Sequence, residues 1–113
     1  MLFKRCKKVP VVMQLENVEC GAACLTMILA YHHKWVPLDQ VREECGISRD
    51  GSNLTYMTVA AKKYGLDVHN YSCGLNHLMN KAKLPCIIHW NFNHFVVLNG
   101  FTKKGAMITD PAQ

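Results

Sequence analysis

The 113-residue chain contains no apolar run long enough to cross a bilayer. Its longest apolar-rich stretch, Ala22 to Tyr31, falls well short of the roughly 20 residues that a spanning helix needs. The opening segment is not expected to serve as an export signal. The opening Met-Leu-Phe-Lys-Arg-Cys-Lys-Lys is basic enough for one, but Val9-Pro10-Val11-Val12-Met13 gives way at once to Gln14, Glu16 and Asn17. That segment has neither a continuous apolar core nor a small-residue cleavage site. The expected setting is a reducing cytosol, in which the six cysteines are free thiols rather than a disulfide framework. No repeat, low-complexity tract or linker interrupts the sequence, so one domain over residues 1–113 is expected.

Metal-site spacing is also scarce. Cys20 and Cys24 stand alone, with no second Cys or His pair at finger or ribbon spacing, and the adjacent His32 and His33 cannot both face one ion from a helix. No metal or cofactor is expected. The 13 Lys plus Arg against eight Asp plus Glu give a formal charge of +5, with Lys4, Arg5, Lys7, Lys8 and Lys34 in the first third. Such a balance suits an anionic membrane, an acidic partner or simply a soluble surface. Without interleaved exposed aromatics it points only weakly to nucleic acid, and none is expected as a partner.

What is present reads as helices first and strands afterwards. Cys20 to about Lys34 is apolar on nearly every side, the mark of a helix buried in the core. Pro37 opens a second helix that Gly46 closes. A third covers about Asn53 to Tyr64, with Ser52 or Asn53 as N-cap and Gly65 as its stop. A short fourth is expected over Leu75–Lys81. Strand signals follow at Asp67–Tyr71, Cys86–Trp90, His94–Phe101 and Gly105–Thr109, with hairpin chemistry at Asn91-Phe92-Asn93 and the last strand reached through Lys103-Lys104. The order predicts an α+β domain with an antiparallel meander.

Three positions fall at the ends of these elements. Cys20 starts the buried helix, where unpaired N–H groups and the helix dipole favour a thiolate, and Gly21 beside it leaves room for a close backbone. On that feature alone, Cys20 reads more readily as a small core residue like Cys24. A thiolate nucleophile needs a base, and of six histidines His94 opens a strand directly after a turn, at a rim where strands meet clefts. His32, His33, His69 and His77 fall in helical or exposed-looking stretches, and His89 lies within an apolar strand. Asp110 ends the next strand, which an antiparallel meander brings beside His94, and Pro111 holds it extended. Asp-Pro is also a common turn opener.

The segment Gln14-Leu15-Glu16-Asn17-Val18-Glu19-Cys20-Gly21-Ala22-Ala23-Cys24, the His-Phe-Val-Val-Leu strand from His94, and Asp110-Pro111 occur in the order that resembles the Gly-Gly leader peptidases. These are the N-terminal domains of peptidase-containing ABC transporters that export bacteriocins and lanthipeptides. The resemblance runs from Val9 to Pro111 and implies a papain-like fold with helices packed on an antiparallel sheet. It implies Cys20 as nucleophile, His94 as general base and acid, Asp110 as orienter of the imidazole, and Gln14 as oxyanion-hole donor beside the Cys20 N–H. Glu19 stands where the family often has Asp.

The resemblance further implies a substrate: a precursor peptide with an amphipathic leader ending in Gly-Gly, Gly-Ala or Gly-Ser. Its candidate groove residues are Tyr56, Met57, Met79 and Trp90. The transmembrane and ATP-binding parts of an exporter would be partners at the cytoplasmic face of the membrane, and ATP would enter only through them. Family domains usually continue past the Asp-Pro pair, so the expectation is a truncated domain whose last strand has an unpaired edge. Two other functions remain open: a non-catalytic leader-binding module of the same fold, and a small thiol-rich metal or nucleic-acid binder.

Overall fold

A computed structural model describes residues 9–13, 20–46, 54–70, 83–90 and 94–112. Its centre is helix α1 (Cys20–Tyr31), in which every residue from Cys20 to Ala30 is buried. Such a segment has no polar face to give to water, so it is enclosed on all sides. Helices α2 (Leu38–Glu44) and α3 (Leu54–Lys63) pack on it, as does strand β2 (His94–Thr102). The one hydroxyl carried into this interior is satisfied locally: Thr26 Oγ1 donates to the Ala22 carbonyl at 2.8 Å. Each apolar side chain fully buried here contributes about 1.5–3 kcal/mol.

The helix boundaries follow backbone chemistry. Pro37 occupies the N-cap of α2 in an extended conformation. At the end of α3 the Gly65 N–H donates to the Lys62 carbonyl and the Leu66 N–H to the Ala61 carbonyl, a Schellman closure with Gly65 at φ 90°. Helix α1 stops at Tyr31, short of the Lys34 that the apolar pattern predicts. The same closure ends it: His33 N–H donates to Ala30 and Lys34 N–H to Leu29, with His33 itself at φ 64°.

Strands β1 (Cys86–Trp90), β2 and β3 (Gly105–Thr109) form an antiparallel sheet in the order β1-β2-β3. The central strand is buried from Phe95 to Phe101, and Phe95 and Val97 join the side of the core built by α1. Strand β1 pairs in one register, Cys86 opposite Leu98 through Trp90 opposite His94. The β2–β3 pairing changes register once. Thr102 faces Gly105 and Gly100 faces Met107, but the next pair is Leu98 with Ile108, so Asn99 bulges out of the ladder.

Strand β3 is the outer strand among the described residues, and Gly105 to Ile108 are exposed. The strand expected at Asp67–Tyr71 is not formed over residues 67–70. Its alternation comes from one-sided packing: Leu66 and Val68 lie against the core without a partner strand, and Asn70 Nδ2 donates to Thr58 Oγ1 of α3. The helix expected at Leu75–Lys81 and the turn at residues 91–93 lie outside the described residues.

Candidate active site

The helix start, the strand start and the strand end singled out above converge. Cys20 is the first residue of α1 and is 2% exposed. Its Sγ accepts a hydrogen bond from the Phe95 backbone N–H at 3.4 Å, so the sulfur lies against the peptide that joins His94 to Phe95. An N–H donor and the positive end of a helix both stabilise charge on sulfur. His94 Nε2 and Asp110 Oδ1 are 2.9 Å apart. A carboxylate can only accept, so Nε2 carries the hydrogen of this bond and Nδ1 is left to exchange a proton.

The register explains why these two side chains meet. Thr109 lies opposite Val97, so the following residue, Asp110, comes across from Val96. Val96 and His94 share a face by the two-residue alternation of a strand, which puts Asp110 diagonally beside His94. Asp110 Oδ1 also accepts from the Ala112 N–H at 2.9 Å, and Pro111 between them is fully buried. The carboxylate is thereby fixed from both sides. The pair is only 28% and 22% exposed, so the hydrogen bond is largely sheltered from water.

The other described thiols are of a different kind. Burial, reinforced by the nearby Cys20 and Asp110, raises Cys24 far above the usual thiol range. Burial and the neighbouring Glu44 push Cys45 up to about 11. Both are therefore neutral core residues near pH 7. None of Cys20, Cys24, Cys45 and Cys86 is held in a disulfide. Among the described residues no group of three or more His, Cys, Asp or Glu gathers as a metal site.

These are the groups that acyl transfer through a cysteine requires: a thiol at a helix N-terminus, and an imidazole whose outer nitrogen is held by a carboxylate. The Peptidase C39 family model matches residues 8–113. The chain belongs to that family. This C39 domain is a cysteine peptidase with the papain-like α+β architecture, and it is similar to a double glycine motif protease from an AMS/PCAT transporter solved in complex with the leader peptide. The identity is 53% and the TM-score 0.95, over 100% of this chain and 83% of that one.

Two curated relatives from Escherichia coli are the probable microcin-H47 secretion/processing ATP-binding protein MchF, 37% identical over 95% of this chain, and the colicin V secretion/processing ATP-binding protein CvaB, 36% identical over 95%. The C39 domain spans about 15% of the length of each. No helix among its described residues is long and apolar enough to cross a membrane.

The remaining expected site residues divide. Tyr56 is exposed on α3, but Met57 is 4% exposed and belongs to the core. Its position on the inner side of α3, in line with Ala60 and Ala61, removes it from any surface groove. Gln14 and Met79 lie outside the described residues, as does the side chain of Trp90. The Phe95 N–H is a contributor that residue types could not reveal, because it is a backbone group. Its only signal was its place directly after His94.

Proposed function

We propose that this domain removes leaders from precursor peptides, cutting after a Gly-Gly-type pair by acyl transfer through Cys20, His94 and Asp110. The observation that carries the reading is the His94–Asp110 hydrogen bond at 2.9 Å on the strand whose next backbone amide meets Cys20 Sγ. His94 Nδ1 takes the Cys20 proton, and the thiolate attacks the scissile carbonyl. The tetrahedral oxyanion is stabilised by the Cys20 N–H and by Gln14, whose carboxamide donates without carrying charge. His94 then protonates the leaving amine, and water, deprotonated by the same imidazole, hydrolyses the acyl-enzyme. Every step uses a side chain or a backbone group, so no cofactor is needed in this domain.

Glycines at the cut suit a thiol held between helix and sheet, since only residues without bulk thread a narrow channel. The leader itself docks as an amphipathic helix. Tyr56 and Val59, one turn apart on α3, are 53% and 59% exposed and offer an apolar flank for it. The leader complex of the similar protease supports a peptide ligand of this kind. The secretion/processing relatives support a place within an ABC exporter at the cytoplasmic membrane face.

The test is incubation with precursor peptides whose leaders end in Gly-Gly, with fragments read by mass. The unaltered protein cuts after the pair, while Cys20→Ala loses all cleavage and still binds the leader. Cleavage by that variant would overturn the assignment. Binding without cleavage by the unaltered protein would assign a leader-binding module instead.

A further inference from the structure

The β2–β3 hairpin starts in one register and finishes in another, and the switch decides where Asp110 points. From Thr102 opposite Gly105 to Gly100 opposite Met107, uninterrupted pairing would continue with Asn99 opposite Ile108, Leu98 opposite Thr109 and Val97 opposite Asp110. In that continuation Asp110 would share a face with Val97 and Phe95, against α1, and not with His94. A one-residue slip moves every side chain to the other face of its partner strand. The observed chain avoids this by a register shift between Leu98 and Gly100, with Asn99 at the bulge, so that Leu98 meets Ile108 and Val97 meets Thr109. Asp110 then falls on the His94 face.

The bulged residue is not loose. Asn99 is 9% exposed, and Thr109 Oγ1 donates to its Oδ1 at 2.8 Å. Thr109 is the residue directly before Asp110. The bond therefore ties the bulge to the last paired residue of β3, and it exists only in the register that serves His94. Bulges beside active sites commonly re-aim a side chain in this way.

We propose that Asn99 and Thr109 are positioning residues of the peptidase, a bulge and its clamp that select the strand register in which Asp110 reaches His94. The proposal rests on the reading of Asp110 as the partner of the catalytic imidazole. Both act through Asp110. The competing register would also press a carboxylate among Phe95 and Val97, which opposes a complete slip. Loss of the clamp therefore loosens Asp110 without unfolding the hairpin.

The experiment measures kcat and KM for a synthetic precursor with an amphipathic leader ending in Gly-Gly, together with the pH dependence of Cys20 alkylation by iodoacetamide. Thr109→Val is expected to lower kcat about five-fold, the worth of one hydrogen bond, with KM unchanged and the alkylation profile displaced toward that of Asp110→Ala. Thr109→Ser, which keeps the hydroxyl, restores both. In an Asp110→Ala background Thr109→Val has no further effect, because the two act in series.

Deletion of Asn99 supplies an independent arm. Without it Gly100–Met107 and Leu98–Ile108 become consecutive pairs and the productive register needs no bulge, so the deletion suppresses the Thr109→Val defect. A Thr109→Val protein with normal kcat, or one whose loss is equally large without Asp110, overturns the proposal while leaving the triad intact. An Asp110→Ala protein that cleaves at full rate overturns the reading of Asp110 and the clamp with it.

Discussion

Cysteines in this chain differ by where the chain puts them, not by their chemistry. Cys20 and Cys24 are one helical turn apart and both are buried, yet only Cys20 has a backbone N–H directed at its sulfur from the His94 strand. Burial holds Cys24 and Cys45 in the neutral form, Cys45 up to about 11 against an ordinary 9.0. Two consequences can be measured. Iodoacetamide at pH 8 should label Cys20 in the folded protein and leave Cys24 and Cys45 unmodified, as peptide mapping would show. Stability should fall as pH climbs from about 9 toward 11, because the unfolded chain ionises its thiols first and so binds fewer protons than the fold. A urea midpoint that stays level across that interval would contradict the burial assigned to Cys45.

At this scale the candidate site could be proposed because its three residues mark element ends, and sequence shows ends well: an apolar helix beginning at Cys20, a strand beginning at His94, and Asp-Pro after a strand. The Phe95 amide was unreadable. Every residue but proline has one, and its partner lies 75 positions away.

Among the elements, α1 and α3 end by the same pair of hydrogen bonds but with different residues at the left-handed position. Gly65 takes φ 90° freely, whereas His33 is held at φ 64°, where a Cβ is unfavourable. His33→Gly should therefore raise stability by about 0.5–1 kcal/mol, seen as a higher urea midpoint with unchanged slope. A lowered midpoint would mean that the imidazole makes up for its own strain. The same contrast explains what could be foreseen. Glycine announced the end of α3, while histidine gave no such signal, so the apolar pattern ran α1 on to Lys34. Residues 67–70 misled in the opposite way, since alternation records which side is buried and not whether a neighbouring strand exists. The bulge at Asn99 was hidden for a third reason: it depends on a side chain of the partner strand.

Among the described residues the molecule is organised around α1, which touches α2, α3 and two of the strands and carries the proposed nucleophile at its first residue. A site built on the central element cannot loosen before the rest. Cleavage activity and far-UV ellipticity should be lost at the same urea concentration, as for a small two-state domain. Activity that disappears at clearly lower urea would show that the sheet carrying His94 and Asp110 detaches from the helix as a separate unit.

The order of the parts along the chain adds a temporal consequence. Synthesis delivers the thiol of Cys20 before the imidazole of His94, and the carboxylate of Asp110 after both. A nascent chain thus holds the Cys20 sulfur without its proposed base until β2 and β3 have paired and β2 has closed onto α1.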